Sequence, residues 1–286
     1  MSRRSLLLFS IFILSFFIFQ ICAQVIAISD GRLHVVVCDV GQGEGIFIRT
    51  PKGANILFDG GPDESIISCL SHTLPFWERK IDLVMLSHPH ADHYKGLESV
   101  LKRYEVKRFI TEDVPGNSQA LAPLRDLIDR ESIQWQEVYT GDSFVTKDGV
   151  RIRVVGPTRL FLESKRHSGG VDPSDVSLQV VVSYKDFDAL LVGDSNLDQM
   201  EAVLGQSLPQ IEMLQTPHHG SKNGLSAHVL EVLSPKIASI SVGKNNYGHP
   251  SLYTLGLYTS SHIMHRRTDQ AGDLKLNTDG VSYNFE

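Results

Sequence analysis

The chain opens on an uncharged apolar run, Leu6 to Ile28, behind Arg3 and Arg4; beyond it the hydrophobic positions fall into short periodic patterns. Leu33–Cys38, Gly45–Thr50 and Ala54–Phe58 read as strands, the last two separated by the turn Pro51-Lys52-Gly53. Ile66, Ile67, Leu70 and Leu74 recur at helical spacing from about Glu64, and Leu97, Val100, Leu101 and Tyr104 mark a second helical face after the buried strand Leu83–Leu86. Phe109–Ile110 predicts a strand, 121–128 a helix and Trp135–Tyr139 a strand. Val150–Val155, Ser177–Ser183 and Asp188–Val192 form a strand-rich middle; helices near 197–204 and 226–233 alternate with strands at Ile211–Leu214 and Ile237–Ser241. Strands return around Ile263–Met264, Leu274–Leu276 and Val281–Asn284, while the Gly-, Ser- and charge-rich Thr158–Pro173 reads as a surface loop. Mixed strands and helices without a linker predict one α/β layered domain over residues 29–286.

Two arginines ahead of a long apolar run are the pattern of an export signal or a single membrane anchor. Ala23 and Ala27 are candidate cleavage positions, but Ile21 and Val25 fit the paired position poorly, so both readings of residues 1–28 stay open. In either case the positive N-terminus stays inside, and the domain is expected outside the cytoplasmic membrane, secreted or anchored. Cys38 and Cys69 fall in a strand and a helix of the core, where a disulfide and two buried thiols are equally expected. Trp77 and Trp135 read as packing residues.

The composition, 42% hydrophobic and 21% charged in 286 residues, is that of a folded globular protein. Twenty-seven Lys and Arg against 33 Asp and Glu give a net charge of −6, and setting aside Arg3 and Arg4 leaves −8 on the domain. Such a domain lacks the general positive field of a sequence-indifferent nucleic-acid binder, though a local basic patch remains open.

The strongest chemical signal is His88-Pro89-His90-Ala91-Asp92-His93, directly after the Leu83–Leu86 strand. Four metal-ligand side chains within six residues are costly to gather without a cation, and imidazole with carboxylate suits divalent first-row metals. Asp194 follows the apolar run Ala189–Val192 and reads equally as a ligand or as a helix cap before Leu197. His218-His219 follows another strand, and two adjacent imidazoles diverge in a turn.

This pattern resembles the His-x-His-x-Asp-His signature of the metallo-β-lactamase-fold hydrolases, and more narrowly the hydrolase domain of ComEC-type competence (DNA-uptake) proteins. The matching motifs run in order: Asp39-Val40-Gly41-Gln42-Gly43, Phe58-Asp59-Gly60-Gly61, the His cluster, Ser177-Leu178, Val192-Gly193-Asp194, Pro217 to Ser221, Asn246 to Pro250 and Arg267-Thr268-Asp269. The resemblance implies a four-layer αββα sandwich and two divalent metal ions, zinc first and manganese second. It assigns His88, His90 and Asp194 to one metal and Asp92, His93, His219 and Asp194 to the other, with a bridging water or hydroxide as nucleophile. Asp92, His218 and His249 are then the catalytic candidates, with His218 facing substrate or supporting the site. Asp39 and Asp59 are expected to orient ligand histidines, and Lys222, Asn223 and Tyr247 to contact substrate. Glu44 stands where the family usually has Asp. The only His between the cluster and Asp194 is His167, where the resemblance places no ligand, and Asp175 reads as a site contact or a loop cap.

The expected function is an exported or tethered metal-dependent phosphodiesterase or nuclease acting on DNA. A phosphodiesterase or esterase on an envelope component, such as a phosphorylcholine ester, is the second enzymatic reading. A non-catalytic partner of a DNA-uptake machine is the third. ComEC-type proteins embed their hydrolase in a multi-spanning channel, and this chain has at most one membrane segment.

Overall fold

The computed structural model describes residues 3–28, 30–112, 121–166 and 176–286; the side chains of residues 3, 6, 21–28, 165 and 166 lie outside that description. Two sheets face one another. One has eight strands in the order 283–285, 274–278, 33–37, 46–49, 55–58, 83–86, 108–112, 134–138, and the other seven, in the order 264–267, 237–240, 213–215, 187–191, 179–184, 151–156, 143–145.

Side-chain alternation builds four layers from these sheets. Leu83 and Met85 enter the core between the sheets, whereas Val84 and Leu86 face outward beneath helices. The second sheet sorts likewise: Val180 and Val182 point inward, Val181 outward. Helices Ser65–Thr73, Ala91–Arg103 and Ala122–Arg130 bury their apolar stripes on the outer face of the first sheet. Leu197–Leu204, Ala227–Leu233 and Leu252–Ser260 do so on the second. The result is the αββα sandwich implied by the resemblance.

In the first sheet, Asn55–Phe58, Leu83–Leu86, Arg108–Glu112 and Gln134–Val138 run parallel. In the second, 187–191, 213–215, 237–240 and 264–267 do the same. The Leu83–Leu86 and Phe187–Leu191 strands both end toward one edge, where the His cluster and Asp194 emerge. Crevices at the carboxyl ends of parallel strands are where such sheets bind ligands.

Arg3–Ile28 forms one helix, and its side chains 7–20 are exposed. Among the described residues no helix is long and apolar enough to cross a membrane. Cys38 and Cys69 are joined in a disulfide that ties the end of the Leu33–Val37 strand to the Ser65–Thr73 helix.

Two expectations change, and one helix has no counterpart among them. The first part of the expected loop Thr158–Pro173 is a helix, Arg159–Arg166, whose short apolar face, including the buried Leu162, is diluted by charged neighbours. His167 and Asp175 lie outside the described residues. Trp135 packs as expected, stacked on Phe109, but Trp77 sits edge-to-face with Phe76 and both are exposed. The helix Leu252–Ser260 has no clear helical periodicity in sequence, because Leu252 and Tyr253 face solvent while Leu257 and Tyr258 are buried.

Candidate metal centre

The His cluster is placed by a backbone-to-backbone contact. Asp92 and His93 are in the first turn of the Ala91–Arg103 helix, which docks on the Gly60-Gly61 turn. Gly60 N donates to His93 O over 2.7 Å, and Gly96 N to Gly61 O over 3.0 Å. A Cβ on Gly96 would lie 1.9 Å from Gly60 O, so only glycine permits this approach.

His93 is fully buried between two carboxylates: its Nδ1 lies 2.7 Å from Asp59 Oδ2, and its Nε2 lies 3.2 Å from Asp194 Oδ1. Asp59 is itself buried and accepts from the Ser87 amide at 2.7 Å and the Ser87 hydroxyl at 2.6 Å. That hydroxyl also lies 3.0 Å from His88 Nδ1. One Asp–Ser pair thus holds two histidine rings in place. Asp39 does not share the role: it is exposed, and its carboxylate accepts the Gly41 amide at 3.3 Å. A local turn, rather than a ligand histidine, engages that carboxylate.

Asp194 enters from the opposite sheet. The cap of the following helix is Asn196, whose side chain forms a capping box with Gln199, so Asp194 is left to the site. Its turn is clamped by buried Gln215, which accepts from the Val192 and Gly193 amides at 2.7 and 2.8 Å. Gln215 Nε2 donates to Glu44 Oε2 at 2.9 Å.

His218, His219 and Gly220 all have positive φ, at 48°, 52° and 83°. Non-glycine residues seldom adopt this conformation, and such outliers concentrate at functional sites. It turns both imidazoles toward Asp194: His219 Nε2 lies 3.3 Å from Oδ1 and His218 Nε2 3.6 Å from Oδ2. The two rings diverge, 85° between planes, so they address different oxygens of one carboxylate. His219 Nδ1 donates to Ser241 O at 3.0 Å, which directs Nε2 toward Asp194 and Asp92.

One nitrogen or oxygen from each of Asp92, His93, Asp194 and His219 falls within 4.8 Å of all the others. His88 Nε2, His93 Nε2, His219 Nε2 and Asp194 Oδ1 are buried without a hydrogen-bond partner. Convergent, unpartnered ligand atoms of this kind fit a cation. His90 adjoins them, its ring 4.5 Å from that of His88.

Charge is distributed accordingly. Burial opposes ionisation of Asp194, yet His219 and His93 outweigh it and hold the carboxyl well below its usual range. Asp92 is also partly buried, but His219 and His93 bring it down to about 2. Burial opposes a charge on His93 and on His219, but the facing carboxylates raise both imidazoles. His88 goes the other way, held neutral by burial and by His93. Burial drives Glu44 up to about 8.

His90, Asp92, Asp194, His218 and His219 line a cleft of about 240 Å³, closed on its other side by Gln42, Tyr247 and His249. His249 is half-buried, its ring 5.5 Å from that of His218; burial, with His218 and His219, pushes it toward the neutral form. Lys222 and Asn223 are exposed and do not line this cleft. Glu44 and Gln215 are site residues that sequence reasoning did not assign, since their contact spans 171 positions.

Two facing sheets with a His/Asp cluster at their common edge define a metal-dependent hydrolase fold. The family model described as the metallo-beta-lactamase superfamily matches residues 38–244, and the chain belongs to that superfamily. Among curated proteins it is 28% identical over 279 residues to "ComE operon protein 3" of Bacillus subtilis (strain 168), covering 86% of this chain and 33% of that protein. It is 26% identical over 264 residues to "Competence protein ComA" of Neisseria gonorrhoeae, covering 87% of this chain and 33% of that one. The chain thus spans about a third of the length of these relatives. Among solved structures, the metallo-beta-lactamase fold protein YhfI from Bacillus subtilis superposes with a TM-score of 0.58 at 11% identity, covering 85% of this chain and 99% of that one.

Proposed function

We propose that this protein is a dinuclear metal-dependent phosphodiesterase that acts on DNA. The observation that carries the reading is the bifurcated use of Asp194. Oδ1 faces His93 and His219 at 3.2 and 3.3 Å, while Oδ2 faces His218 and His88 at 3.6 and 4.0 Å. One carboxylate with imidazoles beside each oxygen is suited to bridge two cations. His88, His90 and Asp194 Oδ2 would hold one, with His218 as its further ligand, and Asp92, His93, His219 and Asp194 Oδ1 the other. Two divalent cations at those positions lower the pKa of water and neutralise charge on a phosphodiester; zinc and manganese both suit the donor set.

The protein's own groups do the rest. Asp59 and Ser87 hold His93 and His88 in one orientation. Gln215 keeps the Asp194 turn in register with Glu44. His249, held toward its neutral form, offers an N–H hydrogen bond to a substrate oxygen at the mouth of the cleft. The competence-protein relatives support DNA as the substrate. The apolar run Leu6–Ile28 and the Cys38–Cys69 pair support a position outside the cytoplasmic membrane, where disulfides persist.

The test is metal content by mass spectrometry together with turnover of a chromogenic phosphodiester. Wild type should hold two metal ions per chain and hydrolyse the diester; Asp194→Ala should lose both properties. A wild type that retains no metal after supplementation with zinc or manganese contradicts the reading.

A further inference from the structure

A second cleft, of about 600 Å³, opens beside the metal centre and shares Gln42, Asp92 and Tyr247 with it. Its floor and far wall carry Lys95 and Lys244, and its one carboxylate is the ligand Asp92. Lys95 stands on the exposed face of the Ala91–Arg103 helix, one turn beyond the ligands, and Lys244 leads into the 244–250 loop; both are exposed. Among the described residues neither has a carboxylate within ion-pair distance. The remote basic cleft at the opposite edge of the sheets differs: there Lys107 and Lys80 are paired with Asp82 at 2.8 and 3.3 Å.

Between the two clefts stands Tyr247, 76% exposed, its ring 5.8 Å from that of His249. Exposure of an aromatic ring on a loop is ordinary, but this loop is braced. Asn245 Oδ1 accepts the Tyr247 and His249 amides at 3.0 and 3.1 Å, and Asn245 Nδ2 donates to Gly243 O and His249 O at 2.9 and 2.8 Å. Gly243 packs directly on the Gly41-Gln42 backbone, where a Cβ would lie 2.4 Å from Gly41 C. An aromatic face is therefore held out to solvent at a fixed place between a metal centre and two lysines.

We propose that this cleft is a strand-binding subsite for single-stranded nucleic acid, in which Lys95 and Lys244 bind a phosphate flanking the scissile one and Tyr247 stacks the intervening base. The assignment rests on the phosphodiesterase reading and extends it. Lysines without carboxylate partners suit backbone phosphate, and an exposed aromatic face can stack only a base that is free of a duplex. Neither contact reads base identity, so the subsite is indifferent to sequence.

Binding of a fluorescein-labelled phosphorothioate pentathymidylate, which resists cleavage, tests this by anisotropy. The full chain is used with two equivalents of Zn²⁺ and no other divalent cation. Lys95→Ala/Lys244→Ala should weaken binding at least tenfold and flatten the slope of log K against log salt by about 0.7, the value for one phosphate contact on a single strand. Tyr247→Ala should weaken binding about tenfold with no change of slope, as loss of stacking requires. Lys52→Ala/Lys147→Ala, on the remote basic cleft, should change neither. Unaltered affinity in the first double variant, a loss confined to the remote pair, or no saturable binding by wild type would each overturn the proposal. Turnover of the chromogenic diester is read separately, so a protein that binds the strand without hydrolysing any diester would sink the enzymatic reading and leave the subsite standing.

Discussion

Asp59 Oδ2 accepts from His93 Nδ1 at 2.7 Å, while the other face of the same imidazole lies 3.2 Å from Asp194. His93 is thereby fixed in one ring orientation, with Nε2 directed at the candidate metal centre. Asp59→Asn keeps the size of the side chain but weakens that hold. Loss of such a supporting carboxylate typically costs roughly 10- to 100-fold in metal affinity. Chelator competition should show a loss of that order for one of the two ions. An unchanged affinity would mean that Asp59 serves only the fold.

The glycine contact that docks the ligand helix is testable against an internal control. Gly96→Ala would force a Cβ to 1.9 Å from a backbone oxygen, so the helix must move away from Gly60. Overpacking of this kind costs on the order of 1–3 kcal/mol or more. Gly256 lies within the Leu252–Ser260 helix, and a methyl group added there would meet nothing within 4 Å. Gly256→Ala should stabilise by about 0.5–1 kcal/mol. Denaturant unfolding of the two variants should therefore shift in opposite directions.

The metal-free protein should lose stability as pH rises. His93 and His219 are raised in the folded state, so their contribution is complete below the unfolded imidazole value of about 6.5 and disappears as pH climbs through the folded values. Glu44 acts in the same sense: raised to about 8 by burial, it makes the folded state bind an extra proton between about 4.5 and 8. Asp92, lowered to about 2, acts oppositely and only in acid, losing its contribution as pH falls from about 4 toward 2. Urea midpoints of chelator-treated protein should fall between about pH 6 and 8, and Glu44→Gln should flatten that fall. Metal binding displaces the same protons, so zinc affinity should rise over the window in which the protein alone weakens. Calorimetry in buffers of different ionisation enthalpy should register proton release.

The Cys38–Cys69 bond closes a segment whose ends are 31 positions apart. On the loop-entropy account such a link stabilises by about 3–4 kcal/mol. Reduction, or Cys38→Ala/Cys69→Ala, should lower the unfolding free energy by that order, with the metal ligands untouched.

Much of the site is legible in the sequence because its residues lie where strands end. Val84 and Leu86 alternate with Leu83 and Met85, which marks a strand buried on both faces, and the His cluster follows it at once. Asp194, His218 and His219 are legible for the same reason. The rest depends on approach between distant segments. Nothing local distinguishes Asp39 from Asp59, since each ends an apolar run before a site loop; only the fold turns one carboxylate toward His93 and leaves the other in solvent. The partnership of Glu44 with Gln215 joins the two sheets and has no local signature. Lys95 is hidden by its exposed place on an amphipathic helix, where a lysine is ordinarily only a solvated side chain.

The most direct measurement is cleavage of end-labelled single-stranded and duplex DNA by the full chain with Zn²⁺ or Mn²⁺. Wild type should give cut products, which a chelator should abolish and Asp194→Ala should lack. Intact DNA in every condition, from a protein that holds two metal ions per chain, would contradict DNA as the substrate.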